Sequence, residues 1–278
     1  HFQTPIDKAA QTYNASILLS APMLAATANS PYLFGNELWD ETRIPLFEQA
    51  VELGEENYRR VTFGNDYIKE SLFECFDENL KHYPVLVPLK DKDGLDQLSC
   101  LRFHNGTIWR WNRPLIGFDK NNRPHIRIEH RVIPSGPTII DSIANAAFYF
   151  GLATELAKNI DAMLTELPFA SAKDNFYRCA KQGMEACIVW PHYDELPVKE
   201  LLLKELLPAA RHGLRTLGVS EEDNDKYISI IEKRVESGQN GAHWQRCWIN
   251  KHGRDMNRLT RSYLDQQNSG KPVHEWIF

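Results

Sequence analysis

The stretch from His125 to Ile133 has the sequence His-Ile-Arg-Ile-Glu-His-Arg-Val-Ile, in which apolar and polar residues alternate. Successive side chains of a strand point to opposite faces, so the pattern predicts a β-strand with two chemically different faces. The two faces consist of Ile126, Ile128, His130 and Val132 on one side and His125, Arg127, Glu129 and Arg131 on the other. A carboxylate flanked by guanidiniums is poorly suited to a core, but it is suited to anionic ligands and a divalent cation, because the arginines keep it ionised.

The alternative interpretation of this strand is a solvated sheet face with surface ion pairs, each of which stabilises a protein only slightly. The residues that follow favour a functional role. Pro134–Pro137 is a tight-turn sequence. Thr138 then begins a long apolar segment with Asp141 three residues later, which is a variant of a helix N-terminal capping box. A polar strand that ends at a sharp turn into a helix is a common location for a site.

Composition sets broad limits on the protein. The 278 residues are 42% hydrophobic and 25% charged, with a formal net charge of -5. This length can bury one sizeable core, and the charge gives no reason to expect a nucleic-acid partner. No uninterrupted apolar run has membrane-spanning length. The five cysteines contain no Cys-x-x-Cys pair, which argues for a reducing, cytoplasmic setting and against a structural zinc site.

The order of apolar patterns predicts an α+β fold, with an antiparallel sheet covered by helices and a helical C-terminal region. We expect strands at Leu95–Phe103, Thr107–Arg113 and His125–Ile133, joined as a meander. An opening strand places His1 and Gln3 on one side. The expected helices and loops outside the sheet are a helix from Lys8 to about Ala28, a short helix near Glu48–Leu53, a loop at Lys90–Gly94, and a long helix from Thr138 to about Leu167 containing Gly151.

Several catalytic patterns are absent from the sequence. It contains no His-Glu-x-x-His, Gly-x-Ser-x-Gly, phosphate-binding loop or dinucleotide-binding glycine pattern. The remaining candidates are oxygen and amide ligands and guanidiniums, namely Gln3, Glu129, Arg43, Arg113 and Arg131. Such a set fits magnesium-nucleotide chemistry, in which arginines bind phosphates and carboxylates hold the metal. Many metal-dependent enzymes share it.

Ordered motifs give the set a more specific interpretation. Ala-Asn-Ser-Pro-Tyr-Leu-x-Gly lies at residues 28–35, Trp-x-Trp-Asn-Arg-Pro at 109–114, and Ile-Glu-His-Arg at 128–131 before the apolar helix. Gly-Gln-Asn-Gly-Ala lies at 238–242, followed by Trp244 and Gln245. In this order the chain resembles the carboxylate–amine ligases, which include plant-type and related bacterial glutamate–cysteine ligases. The resemblance covers nearly the whole chain.

The resemblance implies a glutamine-synthetase-like fold, with ATP and Mg²⁺ as cofactors and roles for particular residues. Glu129 matches the family's magnesium-binding glutamate, and Gln3 the metal-facing residue before the first helix, with His1 beside it as a substrate or nucleotide contact. Arg131 and Arg113 match arginines that steady anionic substrate or phosphate groups. Arg43 is placed like an arginine that contacts substrate or phosphate.

The chain also departs from the family pattern. Asn112 stands where many members have Asp, and His130 replaces an apolar residue. The family's glutamate-rich N-terminal strand would precede His1, and no segment of this sequence corresponds to it. We therefore expect residues 1–168 to be the C-terminal part of the catalytic domain and residues 169–278 to be a helical region packed on it. The sequence leaves open whether such a fragment is active by itself.

The resemblance thus predicts an ATP-dependent ligase that forms an amide through an acyl phosphate, as in glutathione biosynthesis, with an amino-acid carboxylate and an amine as small-molecule substrates. We expect no nucleic-acid or membrane partner and allow for a homo-oligomer. Two alternatives stay open. One is a phosphotransferase on the related guanidino-kinase-like fold, which releases a phosphorylated product. The other is a non-catalytic regulatory or interaction module that keeps the fold.

Overall fold

The computed structural model describes residues 1–52, 59–88 and 95–278 and has the expected α+β class. Its helices are α1 (Ala9–Thr27), α2 (Arg43–Ala50), α3 (Phe73–His82), α4 (Ser99–Gly106), α5 (Ile139–Leu156), α6 (Ile160–Glu166), α7 (Phe169–Gln182), α8 (Val198–Leu201), α9 (Leu207–Thr216), α10 (Glu221–Ser237), α11 (Gly241–His252) and α12 (Met256–Asn268). Its strands are β1 (Phe2–Thr4), β2 (Tyr32–Leu33), β3 (Asn36–Glu37), β4 (Val61–Thr62), β5 (Trp109–Arg110), β6 (Asn112–Phe118), β7 (Pro124–His130), β8 (Cys187–Trp190) and β9 (Tyr193–Pro197).

The chain divides into two compact units, each built from two separate stretches of sequence. The first contains His1–Ile17 and Pro45–Arg131, and the second contains Leu18–Ile44 and Val132–Phe278. The boundary expected at residue 168 lies inside the second unit, and the division into a catalytic and a helical region stays a prediction.

The largest sheet belongs to the first unit and has the strand order β1-β7-β6, with both pairings antiparallel. Strand β7 is therefore central, as its two-faced sequence allows. The hairpin turn between β6 and β7 was predicted from Asp119–Asn122 and is confirmed. There the Asp119 carboxylate accepts hydrogen bonds from the backbone N–H groups of Asn121 and Arg123, and Asn122 has a positive φ of 61°.

The expected first strand of the meander, Leu95–Phe103, is wrong. This segment forms a 3₁₀ turn at Leu95–Gln97 and then helix α4. The Asn105 side chain donates a hydrogen bond to the Pro114 carbonyl at 2.9 Å, which fastens α4 to β6. The third strand of the sheet is β1 instead, which comes from the other end of the first unit.

The second unit is mainly helical. Thr138 caps α5 as predicted, since its side chain accepts a hydrogen bond from the Asp141 N–H. The single helix expected from Thr138 to Leu167 is divided into α5 and α6. Between α8 and α9, Leu202–Leu206 is π-helical just before Pro208, which has no N–H to continue the regular ladder. An aromatic cluster, Trp244, Trp248 and Trp276 with Leu259 and Val273, forms part of the core.

Two of the predicted segments extend beyond the described residues. The predicted loop at Lys90–Gly94 lies outside the described residues. The helix predicted at Glu48–Leu53 overlaps the end of α2, and its last residue lies outside the described residues. In the part of the chain that is described, we find no helix with the length and hydrophobicity needed to cross a membrane.

Candidate active site

The register of the three-stranded sheet builds one polar face. Glu129 pairs with Arg113, Arg127 pairs with Gln3 on one side and Leu115 on the other, and His125 pairs with Gly117. Directly paired residues of neighbouring strands point to the same face. We define this surface as the polar face, made of His1, Gln3, Arg113, Leu115, Gly117, His125, Arg127 and Glu129.

Glu129 lies between two guanidiniums and the imidazole of His1. Its Oε2 accepts hydrogen bonds from Arg113 Nε at 2.8 Å and Nη2 at 2.7 Å, and Arg131 Nη1 lies 3.6 Å away. Its Oε1 lies 3.2 Å from Nε2 of His1. The Glu129 side chain is only 16% exposed. The structure therefore brings together four of the residues that the sequence predicted, from three segments of the first unit.

Arg113 is held in place from two sides. Besides its contacts with Glu129, its Nη1 donates to the backbone carbonyls of Asn105, Gly106 and Ile108 at 3.3 to 3.4 Å. Burial lowers the pKa of Arg113, and the charge of Glu129 opposes that effect. The guanidinium thus connects the end of α4 to the central carboxylate, which fixes the direction of that carboxylate.

Arg131 is the more accessible arginine beside Glu129. Its side chain is 30% exposed, against 10% for Arg113. Its guanidinium lies 5.5 Å from the centre of the Phe47 ring, at cation–π distance. Its backbone N–H donates to the Trp111 carbonyl at 2.8 Å, which holds the chain at the end of β7. Solvent therefore reaches the Arg131 side chain more readily than that of Arg113.

The two departures from the family pattern, Asn112 and His130, form one cross-strand pair. His130 Nδ1 lies 2.6 Å from Asn112 Oδ1, and the Tyr13 hydroxyl donates to the Asn112 carbonyl at 3.0 Å. Burial lowers the pKa of His130 to about 3, so the imidazole is neutral at pH 7. An Asp at position 112 would place a charge in this buried pair, and the neutral amide avoids that cost.

Gln3 lies on the polar face but not in the Glu129 cluster. Its side chain is exposed, and it borders a cavity of about 550 Å³ with His125, Ile116 and other residues of the first unit. Among the described residues, no group of three or more His, Cys, Asp or Glu side chains is arranged to hold a metal ion. A site that rests on Glu129 and Gln3 would thus need water and substrate oxygens as its remaining ligands, as Mg²⁺ sites often have.

Arg43 belongs to the second unit. Its Nε donates to Oε1 of the buried Glu41 at 2.9 Å, and its Nη2 donates to the Val132 carbonyl. Burial raises the pKa of Glu41, an effect that the Arg43 guanidinium and the Asn29 N–H oppose. Glu41 was not among the predicted site residues. Its position two residues before Arg43 is the only signal for it in the sequence.

Two family-like motifs that are far apart in the sequence meet inside the second unit. Gln245 Nε2 donates to the Asn29 carbonyl at 3.0 Å, and Asn29 Nδ2 donates to the Tyr263 hydroxyl at 2.8 Å. The Ala242 N–H donates to the Ala28 carbonyl at 3.0 Å. A Cβ at Gly241 would lie 1.9 Å from Asn29 Oδ1, so a side chain at this position would displace Asn29.

The sequence model of glutamate–cysteine ligase family 2 matches residues 3–262, and this range includes both meeting motifs and every residue of the polar face except His1. The chain belongs to this family. A Trichormus variabilis protein named "Putative glutamate--cysteine ligase 2" is 27% identical over 117 residues, which are 40% of this chain and 29% of that protein. The chain thus matches less than a third of that relative's length. Membership in glutamate–cysteine ligase family 2 supports a ligase-like function.

Proposed function

We propose that this protein is an ATP- and magnesium-dependent carboxylate–amine ligase of the glutamate–cysteine ligase type. The observation that carries the proposal is the cluster in which Arg113, Arg131 and His1 surround the Glu129 carboxylate on the polar face. Family membership supports it independently. The proposed substrates are an amino-acid carboxylate and an amine.

The proposed reaction has two steps. A carboxylate oxygen attacks the terminal phosphorus of ATP, so that an acyl phosphate forms and ADP leaves. The amine nitrogen then attacks the acyl carbon, phosphate leaves with the electron pair of the C–O bond, and the nitrogen loses a proton. Neither step requires a nucleophilic side chain, since such catalysis consists mainly of positioning and charge stabilisation.

The residues of the first unit have distinct tasks in this proposal. Arg113, which is fixed by three backbone carbonyls, keeps Glu129 in one orientation. Arg131, the more exposed of the two arginines, binds an anionic oxygen of the substrate or the transferred phosphoryl group. His1, which contacts the other carboxylate oxygen, orients Glu129 from the side of β1.

The donor set is compatible with Mg²⁺ only in combination with substrate. Glu129 and Gln3 are the oxygen ligands that the polar face offers, and Mg²⁺ is commonly held by one or two carboxylates together with phosphates and water. When bound, the ion supplies positive charge that offsets charge on the phosphates. Arg43 and its buried partner Glu41 are proposed as a further anion contact in the second unit.

Replacement of Glu129 by Gln tests the proposal in the full-length protein. The change keeps the size of the side chain and removes the charge that opposes Arg113 and Arg131. We expect release of ADP that depends on both acid and amine to fall by at least about a hundredfold, the order expected when a key electrostatic group is lost. Glu195→Gln, at an exposed ion pair with Arg178, is the matched control and should keep its activity.

The products identify the reaction class. A ligase yields ADP, free phosphate and an amide in equal amounts, whereas a kinase yields ADP and a stable phosphorylated product. Wild-type turnover in Glu129→Gln would contradict the assigned role of the carboxylate. Absence of nucleotide binding by the full-length protein in the presence of magnesium, measured by calorimetry, would contradict the enzymatic proposal altogether.

A further inference from the structure

Arg127 is a further arginine on the polar face, and it makes no contact with the Glu129 cluster. It lies two residues before Glu129 on β7, so the two side chains leave the strand about 7 Å apart. Among the described residues, the Arg127 side chain has no hydrogen-bond or ion-pair partner, and its Nε is buried without one. A buried guanidinium nitrogen without an acceptor is costly, and a bound anion would supply the acceptor.

The charge balance of the sheet identifies the kind of acceptor. Glu129 is the only acidic residue in strands β1, β6 and β7, and Arg113 and Arg131 already contact it. Arg127 therefore adds positive charge that no carboxylate of these strands balances. The missing partner has the chemistry of an oxyanion, which a guanidinium binds through parallel N–H donors.

Gly117 brings a second nitrogen group beside Arg127. A Cβ placed on Gly117 would lie 2.6 Å from His125 Nε2 and 3.2 Å from Arg127 Nη2. Both side chains therefore lie over the same glycine, close enough to contact one small anion together. His125 also borders the cavity of about 550 Å³ at this end of the sheet, so packed protein does not close the approach.

We propose that Arg127 and His125, lying over Gly117, form an anion subsite that binds the phosphates of the nucleotide. The inference rests on the proposed ligase function, because it assigns the neighbouring phosphates of one polyphosphate to this subsite and to the Glu129 cluster. No residue of the subsite belongs to the motifs on which the family resemblance was based.

The test uses the full-length protein and three substitutions. Arg127→Gln removes the charge, Arg127→Lys keeps it, and Gly117→Ala keeps both the Arg127 and His125 side chains but displaces them. We expect Arg127→Gln and Gly117→Ala to weaken binding of tripolyphosphate by about tenfold to a hundredfold, the range for lost hydrogen bonds to a charged group. Arg127→Lys should lose less. Arg123→Gln, at the exposed turn that precedes β7, is the control and should bind as the wild type does.

Steady-state kinetics distinguish two possible sources of the oxyanion, namely the phosphates of ATP and the carboxylate of the acid substrate. For a nucleotide subsite, the KM for ATP rises in Arg127→Gln while the KM for acid and for amine stays the same. A rise in the KM for the acid alone would overturn the assignment to the nucleotide. The subsite itself would be overturned if Arg127→Gln bound tripolyphosphate as tightly as the control Arg123→Gln does and had an unchanged melting temperature.

The same measurements separate the subsite from the reaction. If tripolyphosphate binding depends on Arg127 and no amide forms, the subsite stands and the ligase proposal fails. If amide formation depends on Glu129 but neither binding nor KM responds to Arg127, the ligase proposal stands and the subsite fails. Thermal unfolding of each variant shows whether a loss reflects binding or folding, and Arg127→Lys is the rescue variant.

Discussion

At the residue scale, Asn29 shows how one side chain joins distant parts of the second unit. Its amide group contacts Ser135, Gln245 and Tyr263, and its backbone N–H donates to Oε2 of Glu41 at 2.7 Å. The asparagine of the Asn-Ser-Pro motif thus supports Glu41, which in turn contacts Arg43. In the structure this motif residue positions other side chains.

Substitution of Asn29 tests this positioning role. Asn29→Asp replaces the donor Nδ2 with an acceptor that faces the Ser135 carbonyl. We expect it to lower the free energy of unfolding by about 1 kcal/mol, the typical contribution of one lost hydrogen bond at a half-buried position. Urea unfolding measures the loss, and the same change at the exposed Asn36 of β3 is the control. Equal stability of the two variants would contradict the role.

At the element scale, helices α5 and α9 pack with their backbones in contact. A Cβ on Gly151 would lie 2.3 Å from the Ala210 carbonyl oxygen, and one on Gly213 would lie 1.9 Å from the Gly151 carbonyl oxygen. The sequence placed Gly151 inside a predicted helix, and the structure shows that another helix packs closely against it there. Two helices approach this closely only where both lack side chains.

Replacement of either glycine by alanine should therefore destabilise the protein, whereas the same change usually stabilises a helix. In an open helix, Gly→Ala stabilises by roughly 0.5–1 kcal/mol. Here we expect Gly213→Ala to lower the free energy of unfolding by about 1–3 kcal/mol, because the backbones must separate. Gly106→Ala at the end of α4, where nothing lies within 4 Å of the added Cβ, should be neutral or stabilising. Denaturant titration compares them, and a stabilised Gly213→Ala would contradict the packing.

At the scale of the whole molecule, three distant segments of the second unit meet at one buried ion pair. Arg234 Nη2 donates to Asp141 Oδ1 at 2.7 Å, and both side chains are buried to within 1%. The Asp141 carboxylate also accepts the Val273 N–H at 3.1 Å, and Gln239 Nε2 donates to the Val273 carbonyl at 2.8 Å. Helices α5 and α10 and the residues after α12 are therefore held together. Removal of one charge would leave the other buried without a partner.

His274 makes the stability of this region depend on pH. Burial lowers the pKa of its imidazole, an effect that the charges of Glu275 and Asp141 oppose and those of Arg234 and Lys233 reinforce. The unfolded state therefore binds a proton more readily than the folded state. The part of the free energy of unfolding that depends on His274 is fully present above the unfolded pKa of about 6.5. It falls as the pH decreases below that value.

We expect His274→Leu to remove this part of the acid sensitivity. In the wild type it amounts to at most about 1.4 kcal/mol per pH unit, the limit for one proton. Urea unfolding at pH 7.5 and pH 5.5 measures the difference between the two proteins, which cancels the contributions of all other groups. Identical pH slopes in both proteins would show that His274 does not titrate during unfolding.

Local patterns explain which parts of the fold were predictable. The alternation in residues 125–133, the cap at Thr138 and the turn at Asp119–Asn122 depend on neighbours within a few residues. The prediction of a strand at Leu95–Phe103 was wrong because short apolar runs are compatible with either a strand or a helix. Its helical state is accompanied by the distant contact of Asn105 with Pro114.

By itself, the sequence determined the two faces of β7 and the residue types that the polar face carries, because strand alternation is a local property. Only the tertiary structure decided which residues surround Glu129. His1 is 128 positions away, and its place depends on a strand register that local periodicity does not encode. The same holds for Gln245 beside Asn29 and for the unbalanced charge of Arg127. A residue's partners, unlike its face, are set by how the chain folds back on itself.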